Sequence, residues 1–210
     1  MRTSLQRLSA IAFASGCLAV GLLLKATPAA AIEEPRYHQV EQDGDFSLRT
    51  YAPAIVAETD VDGTLDQASS TGFRRLAGYI FGGYRPSKDD PSKRVPTQIA
   101  MTAPVTTHPH GAGWTVNFTM PAKYSMATLP IPDDARVKIR EIPGFTAAVI
   151  RFSGWVDESK IANRMVLLRA WMAAHGLVAD GDPRLARYDP PWTLPFLRRN
   201  EILIPCREPR

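Results

Sequence analysis

The stretch Thr64–Gly83, TLDQASSTGFRRLAGYIFGG, decides the layout of the chain. Leu65, Ser69, Gly72, Phe73, Leu76 and Ile80 recur at three- and four-residue steps, so they share one face of a helix. Thr64 followed three residues on by Gln67 fits a capping box, in which each side chain satisfies an orphan amide at the helix start. Gly82 and Gly83 are expected to end the helix through a left-handed turn. Gly72 interrupts the apolar stripe at a cost of about 1 kcal/mol against alanine. Either close packing or a flat ligand lying across the helix would offset that cost.

Strands surround this helix. Tyr37–Val40 and Phe46–Tyr51 flank Gln42-Asp43-Gly44-Asp45 and read as a hairpin, with Ala54–Val61 as a third strand. Tyr84–Val95 is polar and proline-punctuated, a surface loop. Thr97–Met101 and Val105–His108 are short strands on either side of Ala103-Pro104, where the proline removes a ladder hydrogen bond. In Trp114–Met120 the residues Trp114, Val116, Phe118 and Met120 alternate with Thr115, Asn117 and Thr119, which predicts a strand with one wet face. Pro121–Asp134 is a long connection. Arg136–Ile142 and Phe145–Phe152 form a hairpin around Pro143-Gly144. Asp157 caps a second helix with Ile161, Met165, Leu168 and Met172 as its core stripe and Gly176 at its end. His175 lies in the last turn, where positive charge suits the helix dipole. Ala186–Tyr188 and Arg199–Pro205 close the chain around the loop PPWTLPFL.

Two segments echo each other: Ala54–Ile80 and Ala148–Met172 each read strand, glycine, capped helix. The order βββαββ then ββαββ predicts an α+β fold: a distorted, largely antiparallel β-barrel of two pseudo-symmetric repeats with two flanking helices.

The first 31 residues read as a signal peptide. Arg2 and Arg7 precede an apolar run, Ile11–Leu24, too short for a comfortable membrane span, and Ala29-Ala30-Ala31 forms a small-residue cleavage site. Export to the periplasm or the medium follows, with 32–210 as a single domain and no stable membrane span in the mature chain. Lipoprotein processing at Cys17 fits less well, because Ala14-Ser15-Gly16 lacks the usual leucine. The leader holds Arg2, Arg7 and Lys25 and no acid, so the formal charge of +4 falls to +1 without it, 22 basic against 21 acidic residues. Nothing in that balance points to nucleic acid, which needs a clustered basic face. Cys206 is then the one remaining cysteine, and a lone thiol without a neighbouring base is a poor nucleophile.

Common catalytic and nucleotide-binding signatures (G-x-G-x-x-G, the P-loop, H-E-x-x-H, G-x-S-x-G and paired cysteines) are absent from the sequence. His108 and His110 stand on one side of an extended segment, but no third ligand is near in sequence, and no structural metal is expected. Glu58, Glu141 and Glu201 are candidate acids without a legible nucleophile–base pair.

Five strings, in order and with similar gaps, resemble the SOUL family of haem-binding proteins. They are Phe46-Ser-Leu-Arg49-Thr-Tyr51; Gly72-Phe73 with Leu76 and Tyr79-Ile80; Ile99-Ala-Met101-Thr-Ala-Pro104-Val105; Phe118-Thr-Met120-Pro121; and Tyr188-Asp-Pro190-Pro191-Trp192 followed by Arg198-Arg199-Asn200-Glu201. The resemblance runs from about Glu34 to Ile204. It implies a two-repeat barrel and a hydrophobic groove for haem or another tetrapyrrole between the first helix and the loop before the last strand. Residues of the right chemistry are Phe73, Leu76, Ala77 and Ile80 on the helix and Trp192, Leu194 and Phe196 on the loop. Arg74, Arg75 and Arg198 are available for the propionates. Some members place an iron-ligating histidine inside the early R-x-Y motif; here that position is Thr50, so iron ligation there is not implied. Gly78 and Thr193 fall where lysines occur in some members. Met101 is available as a substitute ligand but reads better as sheet packing. The resemblance favours a non-enzymatic carrier, buffer or scavenger. A small hydrolase or tetrapyrrole-modifying enzyme using the same pocket, and a ligand-free interaction protein, are the alternatives.

Overall fold

Threonine at the N-cap and glutamine at N3 start the first helix as their chemistry requires: in the computed structural model the Gln67 amide donates to Thr64 Oγ1 and the Thr64 amide donates to Gln67 Oε1 at 3.0 Å. The structure describes residues 32–208 apart from 83, 87–89, 91, 93 and 97. The signal-peptide reading of 1–31, and the stop assigned to Gly83, lie outside the described residues.

The strands are β1 (Tyr37–Asp43), β2 (Phe46–Tyr51), β3 (Ala54–Asp62), β4 (Tyr84–Pro86), β5 (Arg94–Pro96), β6 (Val105–His110), β7 (Gly113–Thr119), β8 (Lys138–Ile142), β9 (Phe145–Phe152), β10 (Val178–Ala179), β11 (Arg184–Arg187) and β12 (Asn200–Arg207). The helices are α1 (Leu65–Phe81) and α2 (Glu158–Ala174), with a short 3-10 turn at Pro195–Leu197. The main sheet is antiparallel throughout, in the order β1-β2-β9-β12-β11-β6-β7-β3-β8, and it curls into a half-barrel; β10 pairs with β12, and β4 with β5.

The predicted repeat appears in this order. One half runs β2-β9-β12-β11 and the other β8-β3-β7-β6, and they meet where β11 pairs with β6. In each half a strand leads through a positive-φ glycine (Gly63 at 103°, Gly154 at 96°) to a capped helix, then to a hairpin. A left-handed φ at both positions is a reason for glycine at both.

Pairing registers sort the side chains onto two faces. The outer face carries both helices: α2 packs with Ile150, Phe152, Ile202 and Ile204, and α1 with Ala57, Val116 and Phe118. The inner face has no helix, yet Ser47, Arg49, Thr115, Asn117 and Glu201 are buried on it because the sheet closes over itself. This corrects the wet face expected of β7: alternation is real, but Thr115 and Asn117 face the inside of the curl.

Other expectations need adjustment. The loop Tyr84–Val95 contains the paired strands β4 and β5. The described part of Thr97–Met101 forms no strand, and the Ile99 amide instead bonds the Ile80 carbonyl at the end of α1. Gly82 ends α1 in an extended conformation, φ −76°, not a left-handed one. Its glycine identity has another cause, since a Cβ there would strike the Gly78 carbonyl. Trp171 joins the α2 core, stacked on Phe46. Cys206 is buried in that core, and burial pushes its thiol pKa up.

Gly72 is buried, and a Cβ on it would stand 2.5 Å from Val116 Cγ2. Close packing is thus what offsets the propensity cost. Gly72→Ala is expected to lower stability by about 1–3 kcal/mol through overpacking, despite an intrinsic helix gain of about 1 kcal/mol. Urea unfolding measures this, and Val116→Ala in the same chain should recover part of the loss.

Candidate functional site

The family-like strings converge on two places. The first is the inner face at β2, β11 and β12. Arg49 Nη1 donates to Glu201 Oε2 at 2.9 Å and Nη2 to Oε1 at 3.3 Å; Tyr188 Oη donates to Oε2 at 2.7 Å; Arg199 Nε donates to Oε1 at 3.1 Å. Arg49 also lies 4.6 Å from the centroid of Tyr37, and Tyr51 stacks on Phe145. Burial acts to lower the Arg49 pKa, but the charge and hydrogen bonds of Glu201 outweigh it and the net shift is upward. Burial pushes the Tyr51 hydroxyl up to about 12, and burial with the Glu201 charge pushes Tyr188 up further. Four donors occupy the Glu201 carboxylate, which makes this a tie between strands and leaves Glu201 no free lone pair for acid–base work.

The late strings tie the last strand to the preceding loop, as their composition suggests. Asp189 accepts from the Arg199 amide at 2.6 Å, Arg198 donates to the carbonyls of Thr193 and Pro191, and Asn200 Nδ2 donates to the Gly154 carbonyl at 3.2 Å.

The second place is the outer face between α1 and this loop. Phe73 leaves the buried side of α1, 39% exposed, and tilts on Phe118 with centroids 5.8 Å apart. On the late loop Trp192 is 82% and Phe196 70% exposed, with Leu194 and Leu197, and Trp155 beside the loop, also exposed. Arg198 lies over the Trp155 ring at 4.1 Å. The candidates divide. Phe73, Trp192, Leu194 and Phe196 present apolar surface to solvent; Ala77 is half-buried; Leu76 and Ile80 are fully buried under α1 in the core. Arg75 turns to the opposite flank of α1 and donates to the Asp60 carbonyl at 3.0 Å, while Arg74 is exposed. Arg198 is held by its own loop.

Sequence reasoning missed Arg187. It pairs with Val105 and Asn200 on the outer face. Its Nε and Nη2 are buried without a hydrogen-bond partner. Burial lowers its pKa, with Asp66 in the first turn of α1 acting against that and Arg198 adding to it. The signal was present in Leu185-Ala186-Arg187, a cation in phase with a core leucine on a short strand.

The remaining candidates lie elsewhere. Thr50 is exposed on β2, its Oγ1 3.1 Å from that of Thr146. His108 and His110 stand on β6, where burial lowers the His108 pKa; His175 caps α2 against Trp171, with Nε2 3.1 Å from Glu41. Among the described residues no three His, Cys, Asp or Glu side chains gather as a metal site. Glu58 is bound by Arg140 through two hydrogen bonds. Met101 packs against the core under α1. A cleft of about 700 Å³ opens between Arg36, Ile55, Tyr124, Glu141 and Pro143 and contains none of the predicted pocket residues. No described helix is long and apolar enough to cross a membrane.

A two-repeat antiparallel half-barrel with two helices on its outer face defines the class of molecule. More particularly, the family described as SOUL heme-binding protein matches residues 32–205, and the chain belongs to it. Among solved structures, the C-terminal domain of EcmrR is similar at 15% identity and a TM-score of 0.56, covering 82% of this chain and 99% of that one. A hydrolase from Listeria innocua is similar at 14% identity and a TM-score of 0.53, covering 80% and 94%. At such identities the likeness establishes the fold alone. No curated protein matches the chain.

Proposed function

We propose that this protein binds haem or a related tetrapyrrole in the groove between α1 and the 190–198 loop, as a non-enzymatic carrier, buffer or scavenger exported under the direction of residues 1–31. The observation that carries the binding reading is the exposed apolar set of Phe73, Trp155, Trp192, Leu194, Phe196 and Leu197 in a member of a heme-binding family. Several large apolar side chains left exposed, four of them on one short loop, are what a ligand or partner site presents. A flat macrocycle is the ligand the family description favours, and burial of its face supplies roughly 25 cal/mol per Å² of apolar area. Export rests on the composition of the leader alone.

Thr50 and the histidines lie off the groove, so affinity comes from apolar contact and charge. Metal-free protoporphyrin is expected to bind within a few-fold of haemin. Titration of haemin into the protein should shift the Soret band and quench tryptophan fluorescence. Trp192→Ala should weaken binding about tenfold, the equivalent of about 1.4 kcal/mol. Absence of any spectral change at micromolar haemin would refute the proposal.

A further inference from the structure

A buried guanidinium with unpaired donors is costly, and a fold keeps one where something else supplies the missing acceptor. Arg187 is such a group: Nε and Nη2 are buried with no hydrogen-bond partner, and Asp66, whose charge acts on it, makes no ion pair with it. Its position is fixed by the sheet. Leu185, two residues earlier, is in the core below α2, and the cross-strand partner Val105 packs in the core below α1, so Arg187 rises between the two helices. Asp66, whose charge acts on Arg187, and Phe73 are seven residues apart on α1 and share one flank of it. Phe118, on which Phe73 rests, pairs with Val105, so Arg187 lies two strands away, about 10 Å at the usual strand spacing.

We infer that Arg187 is the carboxylate anchor of this groove, so that the ligand is a flat apolar molecule bearing a carboxylate at one edge, held by a charge-assisted pair to the Arg187 fork with its face toward Phe73 and the late loop. Planar guanidinium geometry matches a carboxylate with two parallel hydrogen bonds. Of the other basic side chains available for this role, Arg75 is engaged on Asp60 and Arg198 on Thr193 and Pro191, and Arg74 stands exposed on α1, where solvent screens any pair with a carboxylate. The inference rests on the groove reading proposed above, and adds which group selects the ligand.

The test pairs haemin with its dimethyl ester, which keeps the macrocycle and removes both carboxylates. In the unaltered protein haemin should bind at least tenfold more tightly than the ester. Arg187→Gln should weaken haemin by ten- to a hundredfold and leave the ester unchanged, and Arg187→Lys should recover part of the loss. Thermal unfolding of the apoprotein should be unchanged or shifted upward in Arg187→Gln, because an unpaired buried charge is removed. Equal loss for both ligands, no loss for either, or a lowered Tm would overturn the anchor while leaving the groove standing. Failure of the unaltered protein to bind either ligand would overturn the groove and the anchor together.

Discussion

Replacing Glu201 with alanine is expected to cost about 3–5 kcal/mol of stability, because it strands a buried cation. Glu201 is fully buried, and Arg49 and Arg199 both spend donors on it, as does Tyr188. Removal leaves the Arg49 fork facing Tyr37 and Tyr51, neither of which supplies the lost negative charge. Replacing Arg49 and Glu201 together with methionine and leucine is expected to cost less than Glu201→Ala alone, since the desolvation penalty leaves with the charges. Equilibrium urea unfolding of the two variants decides it. A double variant as unstable as the sum of both single changes would mean that the pair contributes through packing and not through charge.

This network shows what the sequence reveals of the fold and where legibility stops. Thr64, Gln67 and Gly72 announce their roles within a few residues, because capping and close packing are local to a helix. The pseudo-repeat is legible for the same reason: each strand–glycine–helix unit is contiguous. The inner face is not. Thr115 and Asn117 alternate with Val116 and Phe118 as solvent-facing residues do, and only the curl of nine strands turns that side inward. Such closure depends on pairings between segments as distant as β2 and β9. The site divides likewise. Periodicity places Phe73 and Leu76 on one helical face, but three residues of rotation separate a core position from its rim. Arg75, nearly opposite Phe73 around the axis, is carried to the far flank and Asp60. Arg187 was hidden because its setting depends on what the fold brings against β11, including β6 and the first turn of α1, both remote from it in sequence.

The distinction between rim and core on α1 has a measurable consequence. Leu76→Ala is expected to destabilise the fold by about 2–5 kcal/mol, the cost of deleting a fully buried leucine and leaving a cavity. Its neighbours, Ala57, Val116 and Phe118, belong to two adjacent strands already paired in register, so the sheet has little freedom to collapse into the space. Under conditions where the variant remains folded, its affinity for haemin should stay within about twofold of the parent, because Leu76 presents nothing to the groove. Trp192→Ala should behave inversely: 82% exposed, it has little native packing to lose, so Tm is held while haemin binding weakens. Thermal unfolding and Soret titration on the same preparations separate the two. A folded Leu76→Ala protein of parental Tm that had lost haemin affinity would place the ligand beneath α1, against β7, and the groove at the late loop would have to be abandoned.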